Sequence, residues 1–236
     1  MKFIRANKNR TSSTVIVMLM LGILASPLSA KDKPPAISAD GLHLIPDTKM
    51  AMVYVDPDAD FSGYSKIALL DAQVAFKKNW RRDQQRSAAT RIRVSDRDME
   101  EIKDAVAELF HEVVVEVFDE HEGWGVVETA GPDVLVFRPA VVDLDITAPD
   151  LGTAGRSQTY TTSAGSATLY LELFDSVTSD KLAWVLHGVA DRSSAFASWS
   201  NSTTNRAAAR RMMKRWATQL RDGLDEVKEH GLPKTE

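Results

Sequence analysis

The sequence predicts an α+β fold, a two-layer sandwich in which a mostly antiparallel sheet of about five strands carries two long amphipathic helices on one face. Three observations predict it. Val134, Val136, Ala140, Val142, Leu144 and Ile146 share one parity while Asp143, Asp145 and Thr147 take the other, the period of two that a strand with one wet face requires. Ala167, Leu169, Leu171 and Leu173 alternate with Thr168, Tyr170 and Glu172, and after Asp175 to Lys181 a partner strand runs from Leu182 to Asp191, which reads as a β-hairpin. Two segments, from Ser95 and from about Ser202, instead repeat apolar residues at steps of three and four. Each helix must bury its apolar stripe, and covering one sheet face satisfies both. The other sheet face is then expected to be partly solvated, with Asp143, Asp145 and Glu172 on it.

The first thirty residues read as a secretory signal peptide. Lys2, Arg5, Lys8 and Arg10 form its basic start, Val15 to Leu24 its apolar run, and Leu28-Ser29-Ala30 a small-residue exit behind Pro27. The same exit followed by Cys would recruit a lipid anchor in a bacterial lipoprotein. Here Lys31 occupies that place and the chain has no Cys, so no thioether anchor, disulfide or thiolate metal site is expected. The expected location is the periplasm, in soluble form. The alternative is a leader left uncleaved, because Leu28 is bulky for a cleavage site, which would tether the protein to the inner membrane; membrane contact is expected only in that case.

Removing residues 1–30 leaves 206 residues, room for one domain with a real core. It also removes four positive charges and no negative ones, taking the net charge from −4 to −8. That balance argues against nucleic acid as a partner. Residues 31–52, with Pro34-Pro35, read as an extended polar linker, residues 53–230 as a single α+β domain, and residues 231–236 as a tail.

Within the domain, turn chemistry at Asp56-Pro57-Asp58-Ala59-Asp60 precedes Ile67-Ala68-Leu69-Leu70, read as the first buried strand. Lys77 to Arg97 holds eight basic and two acidic residues around Trp80 and reads as an exposed loop. Ser95 with Asp98 then caps a helix whose apolar positions are Met99, Ile102, Val106, Leu109, Phe110, Val113 and Val117. The β-branched Val113-Val114-Val115 weighs against its last turns. Trp124 to Glu128 reads as a strand, and Pro139 implies an edge or bulge in the strand after Gly131-Pro132-Asp133. Pro149 to Gly165 reads as a long flexible connection. The last helix carries Met213, Trp216, Leu220, Leu224 and Val227 on one stripe and is ended by Gly231 and Pro233.

Four constellations of side chains are candidates for chemistry. His111-Glu112 with Glu116, and His121-Glu122, could chelate a metal, but Val115 stands where a second helical His would be needed, so a solvated helix face is the reading. The Ser and Thr residues from Thr153 to Ser166 lack a nucleophile elbow and read as a strand connection. The basic residues Lys77, Lys78, Arg81, Arg82, Arg86, Arg91, Arg93 and Arg97 suit phosphate or carboxylate groups of an envelope polymer; the competing reading is a loop that offsets the neighbouring acidic helix. In the last helix, Arg206, Arg210, Arg211, Lys214 and Arg215 precede Asp222, Asp225, Glu226 and Glu229, an order that opposes the helix dipole. An acidic neighbour explains it, with Arg210 or Lys214 facing Glu108, Glu112 or Glu116.

Several segments together resemble the bacterial family called domain of unknown function 3313. They are Tyr54-Val55-Asp56-Pro57-Asp58-Ala59-Asp60 with Tyr64, Gly131-Pro132-Asp133-Val134-Leu135, Leu171-Glu172-Leu173-Phe174-Asp175-Ser176, and Trp216-Ala217 with Leu220, Arg221, Leu224 and Asp225. The likeness spans roughly Gly41 to Glu229. It implies an uncharacterised envelope protein, in many members a lipoprotein, and it implies no activity and no active-site residues. Lys31 departs from the lipoprotein pattern, and Ser179 stands where the hairpin turn commonly has Gly.

No catalytic, cofactor-binding or metal-ligating residue is assigned, and no cofactor is expected. The expected function is a non-enzymatic binding or accessory module of the cell envelope, acting on an envelope protein or an anionic envelope polymer. The alternative is a periplasmic hydrolase or transferase whose residues converge only in three dimensions.

Overall fold

The hairpin read from the alternation of residues 167–191 lies at the centre of the sheet, and the remaining strands add to its two sides. The computed structural model describes residues 33–86, 93–146, 159–161, 165–190, 198–200 and 202–233. Within Pro35–Glu236, one of the two units into which the chain divides, the elements in order are β1 (His43–Leu44), β2 (Met52–Val55), β3 (Lys66–Leu69), β4 (Gln73–Phe76), α1 (Trp80–Arg86), α2 (Asp96–Asp119), β5 (Gly125–Val126), β6 (Val134–Ile146), β7 (Thr159–Thr161), β8 (Gly165–Asp175), β9 (Lys181–Ala190), β10 (Ser198–Ser200) and α3 (Ser202–His230).

Eight strands form one sheet in the order β1-β2-β9-β8-β6-β3-β5, and β4 follows β3 along the same side of β6. The pairings are antiparallel except β3 with β5 and with β6, and β4 with β6. Strands β7 and β10 form a separate antiparallel pair. The α+β class is as expected, but five strands and two helices were too few. The expected count missed elements of two to seven residues, which are too short to show a period.

Residues 35–52 are not only linker: β1 pairs with β2, and Leu42 and Met50 are buried. Consequently Ile67 lies in the third strand of the chain, not the first, and Tyr54 and Val55 of β2 are already buried ahead of it. The region from Lys77 to Arg97 is also not an open loop. Residues 80–86 form α1, and Trp80 is buried with its ring stacked on Phe76 at 4.2 Å. Trp80 Nε1 donates to the Ile146 carbonyl at 3.1 Å, so this aromatic ring anchors the segment. Part of the basic run, residues 87–92, lies outside the described residues.

The parity expected for β6 is corrected as well. Val134 is buried as read, but from there to the bulge the buried residues are Leu135, Phe137, Pro139 and Val141, the opposite parity, while Val136, Ala140 and Val142 are only half-buried. The register shifts between Val142 and Asp145, and Asp143 adopts a positive φ of 51°. A bulge inserts one residue and flips the faces, which returns Leu144 to the core. Opposite the bulge, Gly165 has φ of +151°, and a Cβ there would sit 2.2 Å from the Asp145 carbonyl oxygen. Only glycine allows β8 to begin so close to β6.

Helix α2 begins with the capping box read from Ser95 and Asp98: Asp98 N–H donates to Ser95 Oγ at 3.1 Å, and Ser95 N–H to Asp98 Oδ2 at 2.7 Å. It continues through the valine run to Asp119 because Val113 and Val114 are fully buried, and that burial outweighs a weak propensity. Helix α3 buries Met213, Trp216, Ala217, Leu220 and Leu224 in the same core. Phe118 of α2 meets Trp124 and Phe137 edge to face. Among the described residues, no helix is long and apolar enough to cross a membrane.

The reversed charge order of α3 has the expected partner. Arg210 Nη1 lies 2.7 Å from Glu112 and Lys214 Nζ 2.9 Å from Glu116, while Arg206 also reaches Glu112 at 3.1 Å and Arg210 also pairs with Glu116. Glu112 and Glu116 thus pair with α3, Glu112 remaining half exposed.

Candidate functional site

Strand geometry sends alternate side chains to opposite faces. Val53 and Val55, Ala183 and Val185, Leu169 to Leu173 at every second position, and Leu135 and Phe137 point toward the helices, as the cross-strand register requires. The residues between them, Met52, Tyr54, Trp184, Leu186, Tyr170, Glu172, Phe174 and Arg138, share the face that no helix among the described residues covers. That face was expected to be partly solvated with Asp143, Asp145 and Glu172 on it; Glu172 lies there as expected, but among aromatic rings.

Its centre is a stack. Tyr54 and Trp184, opposite each other on β2 and β9, lie 4.4 Å apart at 18°, and Tyr170 on β8 tilts against the same indole at 5.9 Å. Tyr54 is 1% exposed and its hydroxyl donates to the Pro35 carbonyl at 2.7 Å, which ties the start of the domain onto this face. Beside the stack lies Glu172, 7% exposed. It accepts hydrogen bonds from Arg138 Nε at 2.7 Å, Lys181 Nζ at 2.8 Å and Tyr170 Oη at 3.0 Å. Lys181 also binds Asp40 at 2.9 Å, and the Arg138 guanidinium sits 4.8 Å from the centre of the Phe174 ring.

The electrostatics follow from these contacts. Burial alone would push the Glu172 pKa up, but the donors Lys181, Arg138 and Tyr170 outweigh it and hold the carboxyl below its ordinary value. Burial and the neighbouring carboxylate push Tyr170 up to about 12. Hydrogen bonds from Ser38 and Lys181 bring Asp40 down to about 2. Glu172 is therefore ionised and occupied at neutral pH. It orients Arg138 and Tyr170 and does not exchange protons. The face offers planar rings and a guanidinium that is half exposed.

Segments that carry the family likeness meet at one end of the sheet. Tyr64 donates to Asp175 at 2.6 Å, Ser65 to Asp133 at 3.1 Å, and Ser176 Oγ to the Gly131 carbonyl at 2.7 Å. Asp175 Oδ1 also accepts from the backbone of Val177 and Thr178. This latch fixes the β8–β9 turn to the starts of β3 and β6. Ser179 adopts the left-handed φ of 64° that glycine would take more easily.

The other residues weighed in sequence separate. Lys77 pairs with Asp145, Arg81 with Asp96 and Arg97 with Glu101, so much of the basic run is engaged within the chain. His121 Nε2 lies 3.0 Å from Asp225, which also accepts from Trp124 Nε1 at 2.7 Å. Among the described residues, no three His, Cys, Asp or Glu side chains are grouped to hold a metal ion. Of the Ser and Thr connection, residues 147–158 and 162–164 lie outside the described residues, whereas Thr159–Thr161 form β7. Sequence reasoning placed Tyr170 and Glu172 correctly on the outer face but missed Tyr54, Trp184 and Arg138. The parity of Trp184 within β9 was the signal available for it.

No curated protein matches the chain. Among solved structures, the PelC dodecamer from Paraburkholderia phytofirmans is similar over 71% of this chain and 96% of its own, at 10% identity and a TM-score of 0.35. Protein XCC0632 from Xanthomonas campestris, of family DUF330, is similar over 74% and 92%, at 15% identity and a TM-score of 0.36. The hypothetical protein CT253 from Chlamydia trachomatis is similar over 71% and 98%, at 10% identity and a TM-score of 0.34. Residues 43–220, from β1 into the middle of α3, match the family described as protein of unknown function DUF3313, and the chain belongs to that family.

Proposed function

We propose that this is an exported, non-enzymatic accessory protein of the bacterial envelope that binds another envelope protein through the open face of its sheet. The observation that supports this most is the composition of that face. Tyr170, Trp184, Phe174, Met52 and Arg138 are the residue types that concentrate in the buried centres of protein interfaces, and they stand where a solvated sheet face would carry polar residues. The carboxylate among them is neutralised by its neighbours, so a partner covering the face would not strand an unpaired charge.

Export rests on the leader pattern of residues 1–30, with cleavage after Ala30 and no lipid anchor because Lys31 replaces Cys. The mature N-terminus should begin at Lys31 and metabolic palmitate should leave the protein unlabelled; a start at Met1 would make the leader a tether.

Thr168 lies half-buried on the open face of β8. Thr168→Arg should abolish the complex that crosslinking captures in intact cells, while the melting temperature of the purified variant stays within a few degrees of wild type. A complex unchanged by that substitution, or a free monomer that turns over a cell-wall substrate, would overturn the reading.

A further inference from the structure

The sheet leaves one edge open. Strand β5 covers only Lys66 and Ile67 of β3, with Val127 N–H closing onto the Ile67 carbonyl. From Ala68 through β4 to Phe76, the described residues provide no strand on the outer side. An open edge is a template for a further strand, and Leu70 on it is 47% exposed.

Two grooves flank this edge, and their charges are opposite. At the end of β4, a cleft of about 370 Å³ contains Lys77, Lys78, Arg81 and Lys103 and no carboxylate. At its start, against the middle of α2, a broader groove of about 820 Å³ is lined by Asp71, Asp104 and Glu108, with Glu112, already paired to Arg206 and Arg210, at its side and no Lys or Arg in the lining. The acidic groove has an apolar floor of Ala72, Ala107 and Val115.

We infer that this edge joins two copies of the chain about a two-fold axis. Strand β4 runs from the acidic groove toward the basic one, so two β4 strands laid antiparallel place each basic groove on the partner's acidic groove. The patch is self-complementary, which a two-fold interface requires, and the match occurs twice. Arg81 is already engaged with Asp96 and the Val94 carbonyl, whereas the pairs of Lys77 with Asp145 and Lys103 with Glu100 are solvent-accessible and compete weakly, and Lys78 has no ion pair among the described residues. Charge reversal at the grooves leaves the open aromatic face untouched, so this contact stands or falls apart from the partner-binding reading.

The test is the mass of the full-length purified chain by light scattering and sedimentation. A dimer is expected at low salt, weakened at least about tenfold near 1 M salt, where screening falls to about 3 Å. Asp104→Lys with Glu108→Lys should give a monomer, and so should Lys78→Glu with Lys103→Glu, with unchanged circular dichroism. Mixing the two variants should restore a dimer of one of each, because an edge made more basic then meets one made more acidic. A wild-type monomer throughout, variants that dimerise as well as wild type, or a mixture that stays monomeric would each overturn the inference.

Discussion

Glu172 holds Arg138, Tyr170 and Lys181 in one cluster on the open face. Replacing it by Gln keeps the shape but removes the charge that three donors were placed to meet. Glu172→Gln should cost about 1.5–3 kcal/mol in denaturant unfolding, the range for hydrogen bonds to a charged group, and should loosen Arg138 from the Phe174 ring. A second residue, His187, sets a pH dependence. The Ala51 N–H donates to its Nδ1 at 3.0 Å, which requires that nitrogen to be unprotonated. Burial and the nearby Arg215 lower its pKa from the ordinary 6.5. Below pH 6.5 the unfolded chain takes up a proton that the folded chain refuses, so stability is lost as pH falls from there toward the depressed folded value. Unfolding midpoints measured from pH 7.5 to 5 should show this fall, and His187→Gln should flatten it.

At the scale of elements, the ladder between α2 and α3 explains why the basic half of α3 precedes its acidic half. Four exposed ion pairs align the two helices over the sheet, while the apolar stripe of Met213, Trp216 and Leu220 supplies the burial. A double-mutant cycle on Arg210→Ala and Glu116→Ala should give a coupling that is measurable at low salt and gone near 1 M, because exposed charges are screened there. Coupling that survives high salt would mean the pair is held by packing. Periodicity made both long helices legible, as well as the central hairpin. It failed for β1, β2, β4, β7, β10 and α1, whose two to seven residues carry too few repeats. It also failed for the register of β6, because a bulge at Asp143 reverses the faces and leaves no mark in an alternating pattern.

For the whole molecule, one sheet face is packed by helices and the other is aromatic, with the domain's start at Pro35 hydrogen-bonded to it. The two-layer class could be read from sequence because each helix has a single apolar stripe that must be buried. The candidate face could be read only in part. Tyr170 and Glu172 alternate visibly against the leucines of β8, but their neighbours Tyr54, Trp184 and Arg138 arrive from three other strands whose register no local pattern specifies. The basic run around Trp80 drew attention in sequence through its charge density, yet burial of Trp80 and pairing of Lys77, Arg81 and Arg97 make much of it structural.

The central claim is that partners meet the open sheet face. Photo-crosslinking residues placed one at a time at Tyr170 on that face and at Glu226 on the exposed side of α3 test it most directly in living cells. The account predicts a discrete crosslinked protein from position 170, lost when Arg138→Glu is added, and none from position 226. Equal crosslinking from both positions, or crosslinking from position 226 alone, would contradict it.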